Sequence, residues 1–196
     1  MDYKPHLLSI GLASFKTMVQ ENFIYVDKTH YIHELITKGK YYFLSRPRRF
    51  GKSLLLSTLE QIFAGDKQLF EPFFIATTNY NWAAYPTIHL SFSSMSSKTA
   101  QDLENNIRWT FEELASSHGT DISDALSIKT KFKALIKRIS IKNRVVILVD
   151  EHDYPLLNNV HEPTIAEACR RVLHDFFNVL KDLRRLYSFY LYHKRY

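Results

Sequence analysis

Val145-Val146-Ile147-Leu148-Val149 is an unbroken run of β-branched and aliphatic residues. It shows no polar alternation, so it cannot be a strand with one face in water. A strand apolar on both faces belongs in the middle of a parallel sheet, covered by helices on each side. This run therefore demands an α/β architecture. It ends in Asp150-Glu151, which places two acids at the C-terminal end of a buried strand. In open parallel sheets, ligands collect along that edge. The chain has the material for such a core, with 45% hydrophobic and 14% aromatic residues in a length of 196. Charged residues make up only 23%, which argues against a disordered or solvating segment.

Elements alternate along the chain as an α/β fold requires. Ser14 can cap a short helix from Phe15, and Thr29 a longer one with Ile32, Leu35 and Ile36 on its apolar stripe, ending at Gly39. Tyr41-Tyr42-Phe43-Leu44 reads as a buried strand and leads into a loop, Arg46 to Ser53. The next helix buries Leu55, Leu56, Leu59, Ile62 and Phe63 and stops at Gly65. Thr87 to Phe92 alternates with period two after Pro86, the pattern of a second strand. Two amphipathic helices follow, one with Leu103, Ile107, Phe111 and Leu114, the other with Phe132, Leu135, Ile136 and Ile139. A long helix after Pro163 buries Ile165, Cys169, Val172, Phe176 and Leu180, and Tyr187 to Tyr192 can form one more strand.

Strand, loop, Gly51-Lys52-Ser53, helix is the arrangement a phosphate chain needs: inward-pointing backbone N–H groups, a helix N-terminus and a point charge. Gly51 lets the backbone approach closely, Lys52 reaches terminal phosphates, and Ser53 places a hydroxyl on Mg²⁺. The pattern G-x-x-x-x-G-K-[ST] asks for glycine where this chain has Arg46. Taken alone, the tripeptide is more often a basic turn before an ordinary helix, and Asp150-Glu151 more often a helix-capping or loop acid pair. Together they favour chemistry. Asp150 can hold Mg²⁺ through its water shell, since this hard ion prefers oxygen. Glu151 can orient and polarise the water that attacks a γ-phosphate. About 100 residues separate the two motifs, with one strand between them, the spacing of a P-loop nucleoside triphosphatase.

The residues then match a known pattern. Ile10-Gly11 with Phe15, Tyr25-Val26-Asp27-Lys28-Thr29, Arg46-Pro47-Arg48-Arg49-Phe50-Gly51-Lys52-Ser53, Tyr85-Pro86 before Leu90-Ser91-Phe92, and Val149-Asp150-Glu151-x-Asp153-x-Pro155 resemble the AAA-ATPase-like domain family of bacteria and archaea. Many members carry a C-terminal nuclease-like region. The resemblance covers about residues 7–183, and the missing first glycine is that family's own pattern. It implies a three-layer α/β P-loop core with a mainly parallel sheet, binding ATP with Mg²⁺ and hydrolysing it in intact relatives. Arg46, Pro47, Arg48, Arg49, Phe50, Gly51, Lys52 and Ser53 would then hold the nucleotide, with Lys52 and Glu151 catalytic. Ser53 and Asp150 would hold the metal, with Asp153 in support. Asp27-Lys28-Thr29 would lie near the base, a reading compatible with a helix start capped by Thr29. His152 stands where the family usually has Tyr, and Ser14 where it has an acid.

The resemblance divides the chain into a helical segment 1–40, a core 41–183 and a basic tail 184–196. After Asp182 the family continues into a strand whose polar tip senses the γ-phosphate. Leu183 to Tyr192 is an apolar run without such a tip, so the expectation is a truncated core, incomplete at its C-terminus, that binds nucleotide better than it turns it over. Residues 181–196 hold five basic groups and one acid, much of the net charge of +6. A uniformly basic coat is thereby excluded. A single cysteine excludes an internal disulfide framework, and no apolar run reaches membrane-spanning length. The expectation is a cytoplasmic, nucleotide-binding protein without membrane partners. A homo-oligomer stays open, as do an inactive remnant of a longer gene and nucleic-acid binding through the arginine-rich loop. His30 and His33 lie one helical turn apart without a third ligand, and Cys169 falls on a buried stripe.

Overall fold

The computed structural model describes Leu8 and residues 11–194. Ile10, the first residue of the family pattern, lies outside the described residues, as do Arg195 and Tyr196. Among the described residues, four strands form one sheet: β1 (Tyr41–Ser45), β2 (Thr87–Ser91), β3 (Val145–Asp150) and β4 (Tyr187–Lys194). Their spatial order is β1-β4-β3-β2, and every neighbouring pair is parallel. β3 is buried along its whole length, as its continuous apolar run demands.

The run from Tyr187 to Tyr192, read as one more possible strand, belongs to β4. Residues 187–194 lie between β1 and β3 at the centre of the sheet. The strand also runs past its apolar stretch, and His193, fully buried, supplies a polar group at its tip.

Helices cover both faces. α4 (Ala100–Ser117), α5 (Ile128–Ile139) and α7 (Pro163–Asp182) pack on one face against Ile88, Leu90, Ile147 and Val149. Here Phe132 stacks between Phe111 and Phe176, with centroids 4.9 and 4.7 Å away. α1 (Phe15–Gln20), α2 (Thr29–Lys38) and α3 (Lys52–Phe63) lie on the opposite side, where Phe15, Ile32, Leu56 and Ile62 meet Val146, Leu148, Phe189 and Leu191. The alternation along β3 and β4 thus divides the core in two. The caps follow local chemistry. Ser14 accepts from the Thr17 amide, and Thr99 and Ser127 open α4 and α5 with reciprocal capping boxes. α2 departs from its expected cap. The Asp27 carboxylate accepts from the Thr29 amide, freeing the Thr29 hydroxyl to accept from Ile75. Among the described residues, no helix is long and apolar enough to cross a membrane.

Candidate functional site

Three parallel strands deliver the site to one edge of the sheet. β1 runs out at Ser45 into the loop 46–51, which then enters α3. Two residues of that loop, Arg49 and Gly51, have left-handed backbones, with φ of 66° and 71°. Gly51 adopts this conformation at no steric cost, and it lets α3 begin directly at Lys52. The Lys52 side chain is almost wholly buried, and its Nζ donates to the Pro47 carbonyl at 2.9 Å. The loop therefore closes around its own lysine. Ser53, half-buried one residue later, opens α3 near the end of β3, where its hydroxyl helps to lower the pKa of the Asp150 carboxyl.

Asp150 is the last residue of β3 and is buried. On its other side, β4 brings the His193 imidazole into contact with the same carboxylate through Nε2. Burial opposes ionisation of Asp150. The His193 hydrogen bond and charge, the Ser53 hydroxyl and the more distant His89 outweigh it and hold the carboxyl below its usual pKa. Asp150 is therefore an anion at neutral pH. His193 Nδ1 is buried without a hydrogen-bond partner among the described residues. The Ser53 hydroxyl and the Asp150 carboxylate form a hard-oxygen pair that fits Mg²⁺, an ion held by one or two protein oxygens together with substrate phosphates. Among the described residues no group of three or more His, Cys, Asp or Glu side chains gathers to hold a metal by itself. His30 is exposed beside Phe74, and His33 is half-buried with its ring edge-on to Tyr80.

Glu151 follows with φ of 51°, a left-handed conformation unusual for a side chain of this kind. It is half-buried, and its carbonyl accepts from the Tyr154 amide at 2.9 Å, turning the chain sharply away from β3. Such strain persists where the surroundings over-determine it, and it clusters at functional sites. His152 folds back on β4, with its backbone N–H and Nδ1 both hydrogen-bonded to the His193 carbonyl, at 3.3 and 2.8 Å. Asp153 starts the short helix α6 (Tyr154–Leu157), where its carbonyl accepts from Leu156 and Leu157.

The other expected residues separate into two groups. Arg46 and Phe50 line a hollow of about 450 Å³ with Gly51 and Lys52, closed on the far side by Ile24, Val26, Tyr31 and neighbours from the N-terminal segment. Arg48 and Arg49 are exposed at the loop's turn and make no ion pair among the described residues. Asp27 does not line that hollow. Its carboxylate accepts from the amides of Thr29 at 2.7 Å and Phe74 at 2.8 Å, tying α2 to a 3₁₀ turn 47 residues away. His193 is the site residue that pattern reasoning missed. Its only signal was a polar residue just beyond an apolar run.

A family model described as Predicted AAA-ATPase matches residues 9–192. An uncharacterized protein from the vnfD 5′ region of Azotobacter chroococcum mcd 1 is 38% identical over 182 residues, covering 89% of this chain and 34% of that protein. The chain thus spans about a third of the length of that relative. No solved structure matches it.

Proposed function

Because the chain belongs to the predicted AAA-ATPase family, we propose that the edge formed by β1, β4 and β3 binds ATP together with Mg²⁺. The observation that carries this reading is the convergence of Lys52, Ser53 and Asp150 from two separate motifs. Lys52 already holds a backbone carbonyl of its own loop, so binding exchanges a neutral acceptor for an anionic phosphate oxygen, a stronger hydrogen bond. Gly51 and the first turn of α3 add amide donors and the positive end of the helix dipole. Ser53 and Asp150 would hold Mg²⁺, which when bound neutralises charge on the β- and γ-phosphates. The hollow beside Phe50, walled in part by Ile24, Val26 and Tyr31, offers a recess for the base.

Hydrolysis is the second step of the proposal. Glu151 leaves β3 directly beside Asp150 and would orient a water for in-line attack on the γ-phosphate. Lys52 and the loop amides would stabilise the charge that develops. His193 adds a buried polar group at the tip of β4, in the place where the family resemblance puts a phosphate-sensing residue. Titration of a fluorescent ATP analogue, with and without Mg²⁺, tests the reading. Saturable, Mg²⁺-enhanced binding that unlabelled ATP displaces is expected, and absence of saturable binding would refute it.

A further inference from the structure

A second hollow, of about 610 Å³, is larger than the one beside the P-loop and lies on the other face of the sheet. Its floor is aromatic. β1 contributes Tyr41 and Phe43, and β4 contributes Tyr190 and Tyr192. Its wall is the end of α7, with Phe177, Lys181 and, just beyond the helix, Arg184. β1 is an edge strand, and the helices of this face cluster over the other three strands. Tyr41 and Phe43 are consequently 51% and 49% exposed. They stand two residues apart on one side of the strand, roughly 6.6 Å along its axis. The rings are braced from behind: Tyr41 meets Tyr187 edge-on at 5.7 Å, and Phe43 meets Tyr192 at 5.0 Å.

The charges here have one sign. Lys181 and Arg184 are exposed, neither forms an ion pair among the described residues, and no acid lines the hollow. Asp182, between them in sequence, is drawn away to Lys133 at 3.1 Å. Apolar occupants alone would leave both cations without a counter-charge. A small phosphate would leave the aromatic floor bare. Exposed rings on a sheet face flanked by unpaired cations are what a single strand of nucleic acid uses, with bases stacked on rings and phosphates on Lys and Arg. We propose that this face is a platform for single-stranded nucleic acid, gripped by stacking on Tyr41 and Phe43 and by charge at Lys181 and Arg184. Stacking on rings and charge contacts to phosphate carry little base identity, so binding is tolerant of sequence. The platform touches the nucleotide site at one residue. His152 lines the hollow and holds the His193 carbonyl, and the His193 side chain contacts Asp150.

Fluorescence anisotropy of an end-labelled oligothymidylate of roughly 20 nucleotides, longer than one binding site, tests this on the full chain at low salt. Saturable binding that weakens steeply with salt is expected. Phe43→Ala and Arg184→Glu should each lower affinity about fivefold or more, as loss of a stacked base or a phosphate contact implies. Phe43→Tyr should bind as wild type, and Phe43→Leu, which keeps the apolar bulk, should lose affinity without loss of folding. An Arg48→Ala, Arg49→Ala double variant should bind normally. Loss of binding in that loop variant alone would overturn the proposal, as would duplex binding as tight as single-strand binding. So would absence of binding, or self-association of the chain abolished by the Phe43 and Arg184 variants, since a second copy would then cover this face.

Discussion

Asp27→Ala separates two roles that one residue can play beside a nucleotide site. The carboxylate accepts two backbone amides, from Thr29 at 2.7 Å and Phe74 at 2.8 Å, and so fastens the start of α2 to a turn far along the chain. Hydrogen bonds to charged groups contribute about 1.5–3 kcal/mol when protected from water. Asp27 is exposed, and solvent screening reduces this pair to roughly 1–2 kcal/mol, the range of an ordinary helix cap. In a chain of this size that corresponds to a fall of about 2–8 °C in Tm. The loss should depend on pH. Burial on its own would raise the Asp27 pKa, but the amides of Phe74 and Thr29, the Thr29 hydroxyl and His30 outweigh it and hold it below the usual value. A lowered folded-state pKa stabilises fully above the unfolded carboxyl pKa, and that stabilisation is lost as pH falls through the folded value. Thermal melts of wild type and Asp27→Ala should therefore differ at neutral pH and converge in acid. The nucleotide affinity of the folded variant should fall only modestly, because Asp27 does not line the hollow. An unchanged Tm with a large loss of affinity would refute this, and would put Asp27 on the nucleotide.

Other substitutions probe the loop, the chemistry and the core. Gly51→Ala keeps room for the new methyl group, which meets nothing within 4 Å, but forces a side chain to φ of 71°. It should cost about 1–2 kcal/mol, partly offset by a stiffer unfolded chain, and should weaken nucleotide binding. A melt and affinity equal to wild type would show that the left-handed turn is dispensable. Glu151→Gln should bind ATP with unchanged affinity while phosphate release falls by at least about a hundredfold; hydrolysis at the wild-type rate would remove Glu151 from its role. Phe132→Ala opens a cavity between Phe111 and Phe176 and should cost about 3–5 kcal/mol in a urea titration. A loss below roughly 1 kcal/mol would mean that the three rings are not close-packed.

Much of this molecule could be read from its residues, and the unread parts share a cause. β3 announced itself because five consecutive apolar side chains leave no face for water, and Asp150-Glu151 inherited their place at its end. The helices were legible through caps and stripes, which are local properties. The insertion of β4 between β1 and β3 was not legible, since strand order is set by long-range packing. Tyr187 to Tyr192 looked like a run without a polar tip because its apolar pattern stops before the strand does. His193 becomes visible as a site residue only when the sheet register sets Leu148 beside Leu191 and the strands run on to Asp150 and His193. The tie that Asp27 makes was hidden for the same reason. Its second partner, the Phe74 amide, lies 47 positions away, and no short pattern records that pairing.

The central claim is that the loop from Arg46 to Ser53 holds the phosphates of a nucleotide, with Lys52 as their point charge. Calorimetric titration of Mg·ATP into wild type and Lys52→Ala tests it most directly, with a melt of each to establish that both are folded. The account predicts saturable binding by wild type and a loss of at least about tenfold, some 1.4 kcal/mol, in the variant. Equal affinity in the two, or binding in neither, would contradict it.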